Sequence, residues 1–278
     1  MNQTLTAHPI AHSSVQPFDR QPVALDPLNT TANTPSKTAS FNSPSSRQSS
    51  QSSVIRSPRE SLSTATTNLN LFNFSHIPGQ TDTFTDSRSK ATALFKNSTA
   101  FANGEANATF IGGLNTPIAE THVAINTFNI ASGTGKRYNA DSSSIAIVKG
   151  LDFYLAPKET FKFDFNGLTT LGADSTSSRE TAFARSKTRI VIYATDSYGT
   201  QTTLDRLLIS TRQTSKGSEL NLKASNGFGL STTTQPLSLT SNALSFNGTY
   251  SRTFDTATQL SFVATQTTQT KARRSHHR

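Results

Sequence analysis

Hydrophobic residues recur at every second position through most of the chain after residue 67. In residues 159–166, Phe161, Phe163 and Phe165 alternate with Lys162, Asp164 and Asn166. On a pleated strand the three rings share one face, whereas a helix would scatter them. Shorter segments of this kind lie at 69–74, 108–111, 123–130, 145–148, 151–155, 189–194, 204–209, 220–222, 237–239, 244–246 and 260–264. Gly, Asn, Asp and Ser separate them, as in Asn247-Gly248 and Asp196-Ser197-Tyr198-Gly199, and these residues suit turn geometry. About ten to twelve strands at this spacing predict an all-β protein, an antiparallel β-sandwich of jelly-roll-like form. A change of apolar parity between Ile125 and Phe128 predicts a β-bulge. The Ala-bearing stretch 90–106 carries the weakest pattern and reads as a flat strand packed against another backbone.

Residues 1–66 lack this periodicity. The run Ser43-Pro44-Ser45-Ser46-Arg47-Gln48-Ser49-Ser50 has almost nothing apolar to offset the entropy of ordering. Most of the 11 prolines fall in this block, where they remove ladder donors. The reading is a long flexible N-terminal arm (1–66), one β-sandwich domain (67–270) and a basic tail (271–278). The tail carries Lys271, Arg273, Arg274 and Arg278; it reads as a solvated end, and the sharper reading is an electrostatic contact with a polyanion such as an acidic polysaccharide, a lipid headgroup or nucleic acid.

Composition narrows the function classes. Only 33% of the 278 residues are hydrophobic and 15% are charged, against about 25% charged in typical domains. The difference is made up largely by Ser and Thr, which excludes a coiled coil or helical bundle. With no Cys, disulfide scaffolds and thiol chemistry are excluded as well. The formal net charge of +9 is spread thinly, and no aromatic residues interleave with the tail cations, so no specific nucleic-acid readout is expected. No window approaches about 18 consecutive apolar residues, so no membrane span is expected, and the N-terminus lacks a secretory pattern.

Candidate chemistry is sparse. Ser132-Gly133-Thr134-Gly135-Lys136-Arg137 departs from the phosphate-loop pattern, with Ile130 and Arg137 at two required positions, and reads as a hairpin loop. The six His residues show no metal-ligand spacing within the fold. There is no Gly-x-Ser-x-Gly elbow. Acidic residues stand singly, without the spacing of a calcium loop. No catalytic residue, metal or cofactor is therefore expected, and the chain reads as no enzyme.

Residues 158–168 and 246–260, together with Ser178-Arg179-Glu180-Thr181-Ala182-Phe183-Ala184 and the following Arg189-Ile190-Val191-Ile192-Tyr193, resemble secreted cyanobacterial surface proteins of the choice-of-anchor or PEP-CTERM type. The resemblance covers about residues 90–270. It implies an extracellular β-sandwich of matrix or surface type with no catalytic residues to carry over. The family's signal peptide and C-terminal Pro-Glu-Pro anchor are not visible, which implies a member without a membrane anchor. The leading expectation is an extracellular structural protein, a self-assembling homo-oligomer or polymer forming a surface fibre, sheath or matrix. Its assembly strand would be the segment bearing Leu69, Leu71, Phe72 and Phe74, added to a neighbour's open sheet edge; the competing reading makes this the first strand of its own sandwich. The alternatives are a lectin-like carbohydrate-binding module and, third, a viral capsid jelly roll.

Overall fold

The computed structural model describes residues 60–196 and 198–274, which lie within one compact unit, Val54–Arg278. Among the described residues are twelve strands: β1 (Glu60–Phe72), β2 (Gln80–Ala93), β3 (Thr99–Ile111), β4 (His122–Thr134), β5 (Tyr138–Leu155), β6 (Thr160–Asp174), β7 (Glu180–Thr195), β8 (Gln201–Thr214), β9 (Gly217–Ala224), β10 (Phe228–Ser238), β11 (Ser241–Thr253) and β12 (Thr258–Arg274). They form an antiparallel sandwich. Sheet A runs β10-β11-β6-β1-β4-β3 and sheet B runs β2-β5-β12-β7-β8-β9. Only a single 3-10 turn, Ile118–Glu120, interrupts the strands among the described residues. No helix there is long and apolar enough to cross a membrane.

Period-two alternation sends one side of each strand inward. Phe161, Phe163 and Phe165 of β6 are buried and meet rings from the other strands. Phe163 stacks on Phe74 at 5.3 Å and on Tyr250 at 5.3 Å, and Phe74 stacks on Phe262 at 5.6 Å. These contacts build an aromatic core at one end of the sandwich. Asn73, at φ 55, breaks the alternation after β1, so that Phe74 enters the core although Leu69 and Leu71 already face inward.

The opposite end has a hydroxyl interior. Ser61, Ser63 and Thr67 of β1, Asn129 of β4, Ser142 and Ser144 of β5, Ser186 of β7 and Thr268 of β12 are all buried. Several of them hydrogen-bond between layers: Thr67 Oγ1 donates to Ser186 Oγ at 2.8 Å, and the Asn129 amide donates to Thr268 Oγ1. The Ser142 hydroxyl lies 2.7 Å from the Asn103 carbonyl and 2.6 Å from Asn129 Oδ1, each in reach of its proton. Such bonds need a close approach of the two backbones, and Gly104 permits it. A Cβ there would stand 2.6 Å from Ser142 Oγ and 2.9 Å from Ser144 Oγ, and nearer still to Asn129.

Several expectations need correction. The sandwich already includes residues 60–66, read as part of the arm, because Ser61, Ser63 and Ala65 of β1 are buried in its interior; residues 1–59 lie outside the described residues. The segment bearing Leu69, Leu71 and Phe72 is a central strand of its own sheet, paired with β4 on one edge and β6 on the other, so those edges are not free for a neighbour. Phe74 follows the strand and is buried in the same core. No bulge separates Ile125 from Phe128: pairing runs through unshifted, and the parity change arises because Phe128 and Ile130 lie half-buried on the outer face. Stretch 90–106 contains the end of β2, a turn and the start of β3. Gly135, at φ 93, lies in the link from β4 to β5, which crosses between sheets and is not a hairpin.

Overpacking a filled core costs about 1–3 kcal/mol. Gly104→Ala is expected to lose stability in that range by chemical denaturation, while Asn107→Ala, on the exposed outer side of the same strand, stays near wild type. Equal stability of the two variants would contradict the close inter-sheet contact.

Candidate functional site

The inner sides of both sheets are taken up by packing, so the polar side chains that the strands present to solvent stand on their outer sides. The two outer faces differ. That of sheet A is amide-rich, with Glu105, Asp164 and Asp174 beside Lys162, its lone cation among the described residues: Asn68, Asn126 and Asn107 align across β1, β4 and β3, and Asn70 Nδ2 donates to Asn166 Oδ1 at 2.9 Å.

The outer face of sheet B is cationic. It presents Arg88 and Lys90 on β2, Lys149 on β5, Lys271 and Arg273 on β12, Arg185, Lys187 and Arg189 on β7, Arg206 and Arg212 on β8, and Lys223 on β9. The carboxylates among them are Asp82, Asp86, Asp141 and Glu219. They sit toward the two edges, where Lys149 Nζ meets Asp82 Oδ2 at 2.7 Å, Arg88 meets Asp86 at 3.0 Å and Lys271 meets Asp141 at 3.7 Å. The Lys149 hydrogen bond and charge hold the Asp82 carboxyl below the ordinary carboxylate range.

β7 is the uncompensated row. Arg185, Lys187 and Arg189 alternate along it, all exposed, and none forms an ion pair among the described residues. Pairing sets Lys187 between Thr267 and Ser210, Arg189 between Thr265 and Leu208, and Arg185 between Gln269 and Arg212. Like charges directly opposite each other, as Arg185 and Arg212 are, weaken a sheet. Arg212 relieves part of this by placing its guanidinium 5.9 Å from the Phe183 ring centre. Between the β7 cations and Arg88 lies a depression of about 590 Å³ floored by Ser143, Ile145, Thr267 and Gln269. The face therefore combines fixed positive charge with small hydroxyl and amide groups.

The residues assigned to polyanion contact divide. Lys271 and Arg273 belong to β12 and stand on this face, because the stretch read as a tail pairs with β5 and β7 through Arg274. Arg274 turns inward, donating to the Gly135 carbonyl at 2.9 Å and reaching Glu180 Oε1 at 3.5 Å. Arg278 lies outside the described residues. Arg185 and Lys187 lie before the apolar segment 189–194, and Arg189 opens it as an isolated charge, so the row was not read as one; the alternation Arg185-x-Lys187-x-Arg189 was the available signal.

Two other polar clusters are structural. Ser75 Oγ lies 2.8 Å from His76 Nδ1, and His76 Nε2 lies 3.2 Å from Glu159 Oε2. The hydroxyl also accepts from the Lys162 amide at 2.8 Å, and Glu159 accepts from the Ala156 amide, so these groups tie the β1–β2 and β5–β6 links to β6 and to each other. At the aromatic end, Asp205 of β8 accepts from Tyr250 OH at 2.9 Å and from Arg252 at 2.8 Å, clamping sheet B to sheet A. Burial pushes the Asp205 carboxyl up, but hydrogen bonds from Ser225, Arg252 and Tyr250 outweigh it and leave it below the ordinary carboxylate range. Burial raises the Tyr250 hydroxyl, which stays protonated and donates. Among the described residues no His, Cys, Asp or Glu cluster could hold a metal ion. Comparison with known protein families, curated proteins and solved structures gives no match.

Since Asp205 has a lower pKa folded than unfolded (about 3.9), its stabilisation is complete above the unfolded value and is lost as pH falls through the folded one. Asp205→Asn is expected to cost about 1.5–3 kcal/mol at neutral pH and to flatten the fall in stability below about pH 4. An acid limb in the variant as steep as that of wild type, measured by denaturant titration across pH, would contradict the clamp.

Proposed function

We propose that this chain is a non-enzymatic binding and structural protein of the cell exterior whose cationic face, on sheet B, lies along an acidic polysaccharide. The observation that carries the reading is the β7 row, where Arg185, Lys187 and Arg189 project from one side of a rigid strand with neutral neighbours beside Lys187 and Arg189. Cations held without ion-pair partners among the described residues raise the local concentration of a polyanion. The neutral floor of Ser143, Thr267 and Gln269 offers donors and acceptors to sugar hydroxyls between the charges.

A nucleic acid is the weaker partner for this face. Single-strand binding relies on rows of stacking aromatics, and Phe84 at the β2 edge, with Tyr154 beyond the row of cations, supplies little of that. Absence of Cys suits an oxidising exterior, and the resemblance to secreted surface proteins points the same way. The lectin-like and structural readings thus converge on a matrix protein attached to its polymer through charge.

The full-length chain is expected to be retained on a carboxylated or sulfated polysaccharide at about 0.15 M salt, to be released as salt rises, and to ignore neutral dextran. The variant R185E/K187E/R189E, altered only at exposed positions, is expected to keep its circular dichroism and lose at least about tenfold in affinity. Undiminished binding by the variant, or tighter binding to single-stranded DNA than to polysaccharide at matched salt, would overturn the assignment.

A further inference from the structure

Sheet B ends on β9, whose eight residues are all exposed and which pairs only with β8 among the described residues. Its outward side carries Glu219, Asn221 and Lys223. Its inward side carries Leu220 and Leu222, which face the core layer yet remain 45% and 37% exposed. Leucines on the core side of an edge strand, left uncovered, mark a place where the sheet can continue.

The order of residues along β9 is self-complementary. Set antiparallel to the same strand of a second copy, with a two-fold axis at Asn221, it places Glu219 opposite Lys223, Leu220 opposite Leu222, Ser218 opposite Ala224 and Asn221 opposite its own equivalent. Every pair except the central one occurs twice. Residues of the same parity meet, so charged groups stay on the outer side and leucines on the inner side. Opposite charges and apolar pairs directly across an antiparallel ladder are favourable. Glu219 is available for such a pair: its nearest cation, Arg212, is 3.9 Å away, and its side chain is 77% exposed.

The other edges lack this match. β10 contains Pro236, with a register shift beside it. β3 has Glu105 as its one charged residue, at its midpoint, so centred self-pairing would oppose two carboxylates. On β2, Asp86 and Arg88 already neutralise each other.

We infer that β9 is a homodimer edge, taking the β9 strand of a second copy of this chain in an antiparallel, isologous pair. Such an interface closes on itself and yields a dimer, not a fibre. The two B sheets become one continuous sheet, and both cationic faces lie on the same side of it. The inference does not depend on the polysaccharide reading.

The test uses the full-length protein without polysaccharide, by sedimentation or light scattering across a concentration series. Wild type is expected to dimerise, and Glu219→Lys and Lys223→Glu each to raise the dimer dissociation constant at least about tenfold. The two single variants mixed, or E219K/K223E alone, restore opposite charges at both positions and are expected to recover dimerisation, which a merely structural effect would not. The chain contains no Cys, so Asn221→Cys supplies a single thiol placed opposite its own copy, and mild oxidation is expected to give a covalent dimer. The variant R185E/K187E/R189E keeps the dimer, which separates failure of this edge from failure of polysaccharide binding. A wild-type monomer at all concentrations, single reversals without effect, no recovery on charge exchange, or a dimer that Asn221→Cys fails to crosslink would each overturn the inference.

Discussion

The close approach of the two sheets at their hydroxyl-rich end is the constraint on which the remainder of the molecule rests. Side chains there are too small to fill the roughly 10 Å gap of an ordinary sandwich, so the layers close until Ser, Thr and Asn can bond across them. Thr67 to Ser186 and Asn129 to Thr268 are such links. Hydrogen bonds are directional where hydrophobic contact is not, so these links specify how the layers align as well as how near they come. The aromatic end supplies the larger apolar burial, and Asp205, reaching Tyr250 and Arg252, fixes the layers there by the same means.

A fixed pair of layers makes the outer faces into rigid platforms. Because most inward positions are taken by small or apolar residues, most charge falls on the alternate positions, and in sheet B those from several strands fall on one surface. β7 contributes the densest row, and the register sets the cations of β8 and β12 beside it to widen the surface. A sheet holds its side chains at set spacings, so a partner meets charges already arranged. The amide-rich outer face of sheet A carries no such row of cations, so the two outer faces differ in charge.

The sequence was most readable where the interior is apolar. Phe161, Phe163 and Phe165 announced both a strand and its buried face, and the all-β sandwich followed from such segments. It was least readable where polar residues turn inward. Ser61 and Ser63 resemble a flexible arm by composition yet lie fully buried, Ser63 donating to the Phe183 carbonyl across the layers in a way that no local pattern reveals. Lys271 and Arg273 likewise resemble a solvated tail, though every second residue around them, Thr270 and Ala272, is buried. The cationic face was illegible as a whole because its members are distant in sequence. The internal position of Leu69 and Leu71 was open to either reading, since a strand able to complete its own sheet has the same pattern as one able to complete another's.

The hydroxyl interior also shapes how the protein responds to temperature. Exposing apolar surface on unfolding raises the heat capacity, whereas exposing polar surface lowers it. Here one end of the sandwich releases phenyl rings and the other releases Ser, Thr, Asn and Gln side chains such as Gln266 and Thr268. The two contributions oppose each other, so the heat-capacity increment per residue is smaller than for a sandwich of equal size with an apolar core throughout. The stability curve is correspondingly broad: enthalpy and entropy of unfolding change slowly with temperature, and the fold holds its margin over a wide range instead of peaking sharply within a narrow one.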